Sequence, residues 1–134
     1  MRVLQPSRVI AVEGHGSTVC NCDPELTRRV IENLIGNAMK HTPHSSRIRV
    51  DVVGSENAVS IAVTDEGPGV PVERRARIFE PYNAHASRTA TGYASFGVGL
   101  VFCRLAVQAH GGSIRVDDGP GGGSVFLVEL PRGV

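Results

Sequence analysis

Strand-like segments in this chain come in adjacent pairs instead of alternating with helices, and that order restricts the fold more than any other feature. Arg47 to Val53 and Ala58 to Thr64 are rich in Val and Ile with polar residues interleaved, and Gly54-Ser55-Glu56-Asn57 between them reads as a hairpin loop. Ser113 to Asp117 and Val125 to Pro131 form a second pair across the glycine-rich turn Gly119 to Gly123. Two helical segments accompany them. Asp23-Pro24 marks the start of the first, because Asp caps free amides and Pro suits the first turn, and Thr42-Pro43 stops it near His41. Gly99 to His110 is apolar enough for a core helix and ends at Gly111-Gly112. Hairpin pairs with intervening helices predict an α/β two-layer sandwich, a mixed, largely antiparallel sheet with helices on one face.

The remaining segments are less regular. Arg8 to Glu13 alternates like a strand and ends in a Gly14-His15-Gly16 turn, with Thr18 to Cys22 as its expected hairpin partner. Pro71 to Phe79 suits a short helix, and Glu80 to Phe96 is polar and weakly periodic, a loop long enough to be functional. At 134 residues, 41% hydrophobic and 20% charged, the chain suits one globular domain over residues 1–134, with 1–7 as a linker. A formal net charge of +1 and scattered basic residues argue against a nucleic-acid partner. No apolar run approaches the roughly 20 residues that cross a bilayer, and MRVLQPSR lacks the core of a secretory signal. A cytoplasmic domain without membrane contact is expected. Cys20, Cys22 and Cys103 lack zinc-ligand spacing and an even count, so they read as idle thiols in a reducing compartment.

Three polar or glycine-rich segments stand out. On the first helix Asn33, Asn37, Lys40 and His41 fall at i, i+4, i+7 and i+8, along one side, with Ile31, Leu34, Ile35 and Ala38 opposite. Amide oxygens are suitable hard ligands for magnesium, and a lysine neutralises phosphate; a solvated helix face has the same pattern. Asp65-Glu66-Gly67-Pro68-Gly69 follows directly on a strand, where a carboxylate can accept from an amino group and glycines admit a ligand to the main chain. An ordinary Asx turn would look alike. Gly97-Val98-Gly99-Leu100 opens the last helix, whose amides and dipole favour an anion, though a lone Gly-x-Gly also ends flexible loops. Neither the dinucleotide fingerprint nor the P-loop is present.

Taken in order, these segments resemble the N, G1, F and G2 boxes of the sensor histidine kinase catalytic domain. That family belongs to the wider gyrase, heat-shock chaperone, histidine kinase and mismatch-repair ATPase superfamily, with its Bergerat-type ATP-binding fold. The boxes here are Glu32 to Pro43, Asp65 to Gly69, Arg77 to Tyr82 and Gly97 to Leu100, followed by Gly123-Ser124-Val125-Phe126, which resembles the family's final Gly-Thr/Ser-x-Phe strand. The likeness spans residues 8 to 131.

The resemblance implies roles by position. Asn37 would bind Mg²⁺, with Asn33, Lys40 and His41 beside the phosphates of ATP. Asp65 would read the adenine amino group, directly and with Ser124 through water, in a pocket shaped by Gly67, Gly69, Val70 and Ile78. Gly97, Val98, Gly99 and Leu100 would hinge a lid over the triphosphate, Phe79 would anchor its other end, and residues 80–96 would be that lid. Asn33 occupies the position where gyrase-like, chaperone and anti-sigma serine-kinase members carry a Glu that activates water or a hydroxyl, while Glu32 is rotated by about 100° on the helix. The activity implied is therefore a protein histidine kinase.

Two departures qualify it. Ser95 stands where the family usually has Gly, which implies a stiffer hinge. None of His15, His41, His44, His85 and His110 has the context of an acceptor helix, so the phosphorylated histidine is expected on a separate acceptor and dimerisation domain that also engages the response regulator. The readings kept beside this one are a nucleotide-binding regulatory module without catalysis, an anti-sigma-type serine kinase, and a hydrolase.

Overall fold

A computed structural model of the chain describes residues 9–16, 20–43, 46–80 and 97–132. Five strands form one open mixed sheet in the order β1-β2-β3-β5-β4, where β1 is Val9–His15, β2 Arg47–Gly54, β3 Ala58–Asp65, β4 Ser113–Asp118 and β5 Ser124–Pro131. All pairings are antiparallel except β1 with β2. Helix α1 spans Pro24–Lys40 and α2 spans Gly97–Ala109; α1 touches β2 and β3 while α2 touches β4 and β5. The two-layer architecture is as the hairpin pairs require.

Register explains which side the helices cover. Val50, Val63, Phe126 and Val116 lie opposite one another across four strands and are all buried, whereas the neighbouring row of Arg49, Thr64, Val125 and Asp117 faces away from the core. Strand side chains alternate in direction, so one face carries the apolar set. From the helices, Val30, Leu34, Ile35, Leu100, Cys103 and Val107 complete that core.

Local chemistry sets the helix ends. Asp23 Oδ1 accepts from the amides of Glu25 and Leu26 at 2.9 and 3.0 Å, and Pro24 follows as the first helical residue. The Asp23 amide donates to His110 Nε2 at 2.9 Å, and His110 Nδ1 lies 2.7 Å from the Ala106 carbonyl, so the start of α1 is tied to the end of α2. Gly111 ends α2 with φ +77°, a left-handed angle that glycine adopts without steric cost.

Three expectations need correction. The first strand runs on through Gly14 and His15, because pairing with β2 continues to Val53. Its partner is β2, in parallel; Cys20, Asn21 and Cys22 form no strand, and Thr18 and Val19 lie outside the described residues. A hairpin was the local solution, but a longer apolar strand was available to pair with. Pro71 to Phe79 forms two 3₁₀ turns, Val72–Arg74 and Arg77–Phe79, instead of one helix. The loop at 81–96, with Ser95, also lies outside the described residues, as do residues 1–8.

Candidate functional site

The polar side of α1, the end of β3, the start of β5 and the first turn of α2 converge at one end of the sandwich. Asp65, the last residue of β3, sits opposite Ser124, the first of β5, and both are buried, at 5% and 4% exposure. Oδ1 of Asp65 accepts from the Gly67 amide at 2.9 Å and the Ser124 amide at 3.3 Å, and Oδ2 accepts from Ser124 Oγ at 3.0 Å. A buried carboxylate needs such donors to offset its lost hydration. With two lone pairs per oxygen, Oδ1 is saturated and Oδ2 keeps room for one further donor. The Ser124 contact to Asp65 is direct in this structure.

Backbone packs closely around this carboxylate. A Cβ on Gly67 would lie 2.8 Å from the His41 carbonyl, and one on Gly123 only 1.9 Å from the Asp65 carbonyl. Gly69 has φ +79°, and a Cβ there would meet the Gly122 and Gly123 carbonyls at 3.3 Å. The loop after β3 is thus wedged between the end of α1 and the Gly119–Gly123 turn. Arg75 fastens its far side, donating from Nε to the Val70 carbonyl at 3.1 Å and from Nη2 to Asp118 at 2.6 Å. Val70 and Ile78 are buried in the core, and the Phe79 ring meets Phe126 edge to face at 6.1 Å.

On α1, the polar stripe does not leave Asn37 in solvent. This residue is only 8% exposed, and its carboxamide has no hydrogen-bond partner among the described residues. Helical periodicity puts Asn37 on the polar side of α1, yet the fold buries it. Asn33 is half-buried, donates from Nδ2 to the Arg29 carbonyl at 2.8 Å, and places Oδ1 2.9 Å from where a Cβ on Gly99 would sit. A bare glycine is what lets α2 approach α1 here. Lys40 is exposed, with no ion pair or hydrogen bond from its ammonium group among the described residues. His41 caps α1, its Nδ1 2.7 Å from the Asn37 carbonyl. Gly97 and Val98 form the first turn of α2 and Leu100 is buried beneath it.

Sequence reasoning passed over three residues of this region. Thr42 is buried and donates from Oγ1 to the Ala38 carbonyl at 2.7 Å, with its methyl against Gly67. Arg75 fastens the loop as described, and Arg104 donates from Nε to the Phe79 carbonyl at 2.9 Å, linking α2 to the second 3₁₀ turn. The contacts to Gly67, Asp118 and Phe79 that bring these residues to the site are distant in sequence, so no local pattern marks them.

A buried carboxamide without a partner among the described residues is suited to a hard cation, and a lysine one turn on, likewise unpaired among them, suits the phosphates around it. The donor set therefore fits a magnesium-bound nucleotide. Among the described residues no cluster of three or more His, Cys, Asp or Glu side chains offers an alternative all-protein metal site.

Known proteins bear on this geometry. The family model of the histidine kinase-, DNA gyrase B- and HSP90-like ATPases matches residues 22–134, and the chain belongs to that family. It is 40% identical over 110 residues to the adaptive-response sensory kinase SasA of Crocosphaera subtropica, a match covering 81% of this chain and 28% of that protein. The catalytic domain of the histidine kinase ThkA superposes with a TM-score of 0.82 at 25% identity, covering 96% of this chain and 82% of that one. The ATP-binding domain of PrrB from Mycobacterium tuberculosis gives 0.76 at 26% identity, covering 95% and 82%. The chain is an ATP-binding domain of the histidine kinase type, and it spans about a quarter of the length of the curated relatives it matches.

Proposed function

We propose that this chain is the catalytic domain of a two-component sensor histidine kinase, binding Mg-ATP and passing its γ-phosphate to a histidine on a separate acceptor and dimerisation domain. That domain would in turn engage a response regulator. Residues 1–134 would act as one domain, in the cytoplasm, with any membrane anchor elsewhere in a parent protein; among the described residues no helix is long and apolar enough to cross a membrane.

The observation that carries this reading is the buried Asn37 carboxamide, without a hydrogen-bond partner among the described residues, together with a buried Asp65 that has one acceptor position open. Asp65 Oδ2 would accept the adenine amino group, held in place by Ser124 and the Gly67 amide. Asn37 would give its oxygen to Mg²⁺, which supplies charge neutralisation at the bridging phosphates. Lys40 reaches the same phosphates as a flexible point charge, with Asn33 and His41 flanking them. The amides of Gly97, Val98 and Gly99 at the start of α2 would face the triphosphate. Gly69, Val70, Ile78 and Leu100 would wall the base, and Phe79 would hold the near end of the lid formed by residues 80–96. Phosphoryl transfer asks mainly for positioning and charge neutralisation, which this set provides.

Asn33, in place of the acidic base, favours an acceptor that is already a nucleophile, a neutral imidazole, over water or a serine hydroxyl. The test is transfer of radiolabelled γ-phosphate to an added acceptor domain. Acid-labile phosphohistidine is expected, with slow turnover by the lone chain. Acid-stable phosphoserine would point to the serine kinase, steady hydrolysis to an ATPase, and tight binding without transfer to a regulatory module.

A further inference from the structure

At the opposite end of α1 lies a second concave surface that the nucleotide reading does not use. It is lined by Val12 of the edge strand, Thr27 and Ile31 of α1, Val52 of β2, and the sulfur-bearing pair Cys20 and Cys22. Cys20, Asn21 and Cys22 run into the cap of α1, and the Asn21 amide donates to the Arg132 carbonyl at 2.9 Å. Asn21 is exposed while both cysteines are half-buried, which is the alternation that puts residues two apart on one side. Cys20 packs against the core, and both cysteines line the same concave surface. Two residues apart in that lining and both half-buried, the two thiols are placed to meet one centre in a pocket that is open to solvent.

We propose that Cys20 and Cys22 form a vicinal-dithiol site for a soft, thiophilic centre that two sulfurs satisfy, such as a monosubstituted trivalent arsenical. The donor count selects this class. No third His, Cys, Asp or Glu joins the pair in a cluster among the described residues, so a tetrahedral zinc site is incomplete. Soft thiolate pairs favour soft centres, and an organoarsenical already carries one bond to carbon. With an arsenoxide, the two S–H bonds and the arsenic–oxygen bond break, two S–As bonds form and one water leaves; arsenic stays trivalent and neither sulfur is oxidised. Burial first, and then the neighbouring Cys22, hold the Cys20 thiol above the ordinary cysteine value. Cys103 does not compete: it is fully buried, its thiol pushed up to about 12 by desolvation.

The experiment treats the intact chain with phenylarsine oxide and follows adduct mass. One equivalent should survive excess monothiol and be stripped by a dithiol, and peptide mapping should place it on the fragment carrying Cys20 and Cys22. Cys20→Ser and Cys22→Ser should each lose the monothiol-resistant adduct, whereas Cys103→Ser should keep it. Loss of the wild-type adduct to monothiol would overturn the proposal, whatever the folding of the variants. So would retention by either single variant of the pair.

Discussion

The two ends of the α1–sheet interface are built on opposite principles. At the end holding Asp65, Ser124 and Asn37, polar groups are buried and backbone segments lie so close that side chains are excluded at Gly67 and Gly123. At the end near β1, apolar groups are left in solvent, with Val12 47% and Val53 43% exposed. Burying an unpaired carboxamide costs free energy that burying a valine would return. The first end is thus costly and shaped for a ligand, while the second is cheap and only partly covered. One helix joins them, and its apolar side, Val30, Leu34, Ile35 and Ala38, provides the stability that the ligand end does not.

Gly123→Ala is the sharpest way to break the contrast, since the new Cβ would fall 1.9 Å from the Asp65 carbonyl. A loss of roughly 3 kcal/mol is expected from such overpacking, read as the shift in a denaturant midpoint. Asp65→Asn should leave the fold nearly intact, because the amide can still face Ser124, yet present a donor to the adenine amino group. A loss of about 2 kcal/mol in nucleotide affinity is expected by calorimetry, with much less change for a purine lacking that amino group.

Asn37→Ala separates function from stability within the costly end. Magnesium-dependent nucleotide affinity should vanish, while the empty protein gains up to about 1 kcal/mol on losing an unpartnered buried polar group. If thermal unfolding shows a loss of that size instead, the carboxamide has a partner and the site is assembled differently. Cys103, between the two ends, gives a smaller pH effect. Its thiol stays protonated in the fold up to about 12, and its Sγ lies 3.6 Å from the Val30 carbonyl. An unfolded chain gives up that proton near the ordinary cysteine value, so stability is full below that value and declines as pH rises toward 12. Cys103→Ala should flatten that alkaline limb in pH-dependent unfolding. At the cheap end, Val12→Thr should move stability by less than about 0.5 kcal/mol and leave nucleotide binding unchanged, both measurable in one thermal-shift series.

Much of this was legible beforehand for identifiable reasons. Asp23-Pro24 and Thr42-Pro43 bracket α1 because capping and proline geometry act within a few residues. The paired Val- and Ile-rich segments named β2, β3, β4 and β5, since alternation and turn chemistry are equally local. Asp65, Gly67 and Gly99 were singled out as residue types suited to a ligand, and the structure brings them to one end together with Ser124 and Asn37. The parallel pairing of β1 was not legible, because the competing hairpin with Thr18 to Cys22 satisfied the same local pattern. Nor was the placement of the two cysteines in one groove, where the Asn21 between them is held by Arg132 from the far end of the chain.

Residue order alone therefore determined α1, the four strands β2 to β5 and the chemical character of the α1 face, all of which follow from interactions spanning at most a few turns of chain. Which polar groups lose water was decided only when the sheet closed. Ser124 reaches Asp65 across 59 residues of sequence, and Asn37 is buried on a helix side whose pattern reads as polar. Burial is a property of what packs against a residue, and long-range register sets that partner where helical or strand periodicity cannot.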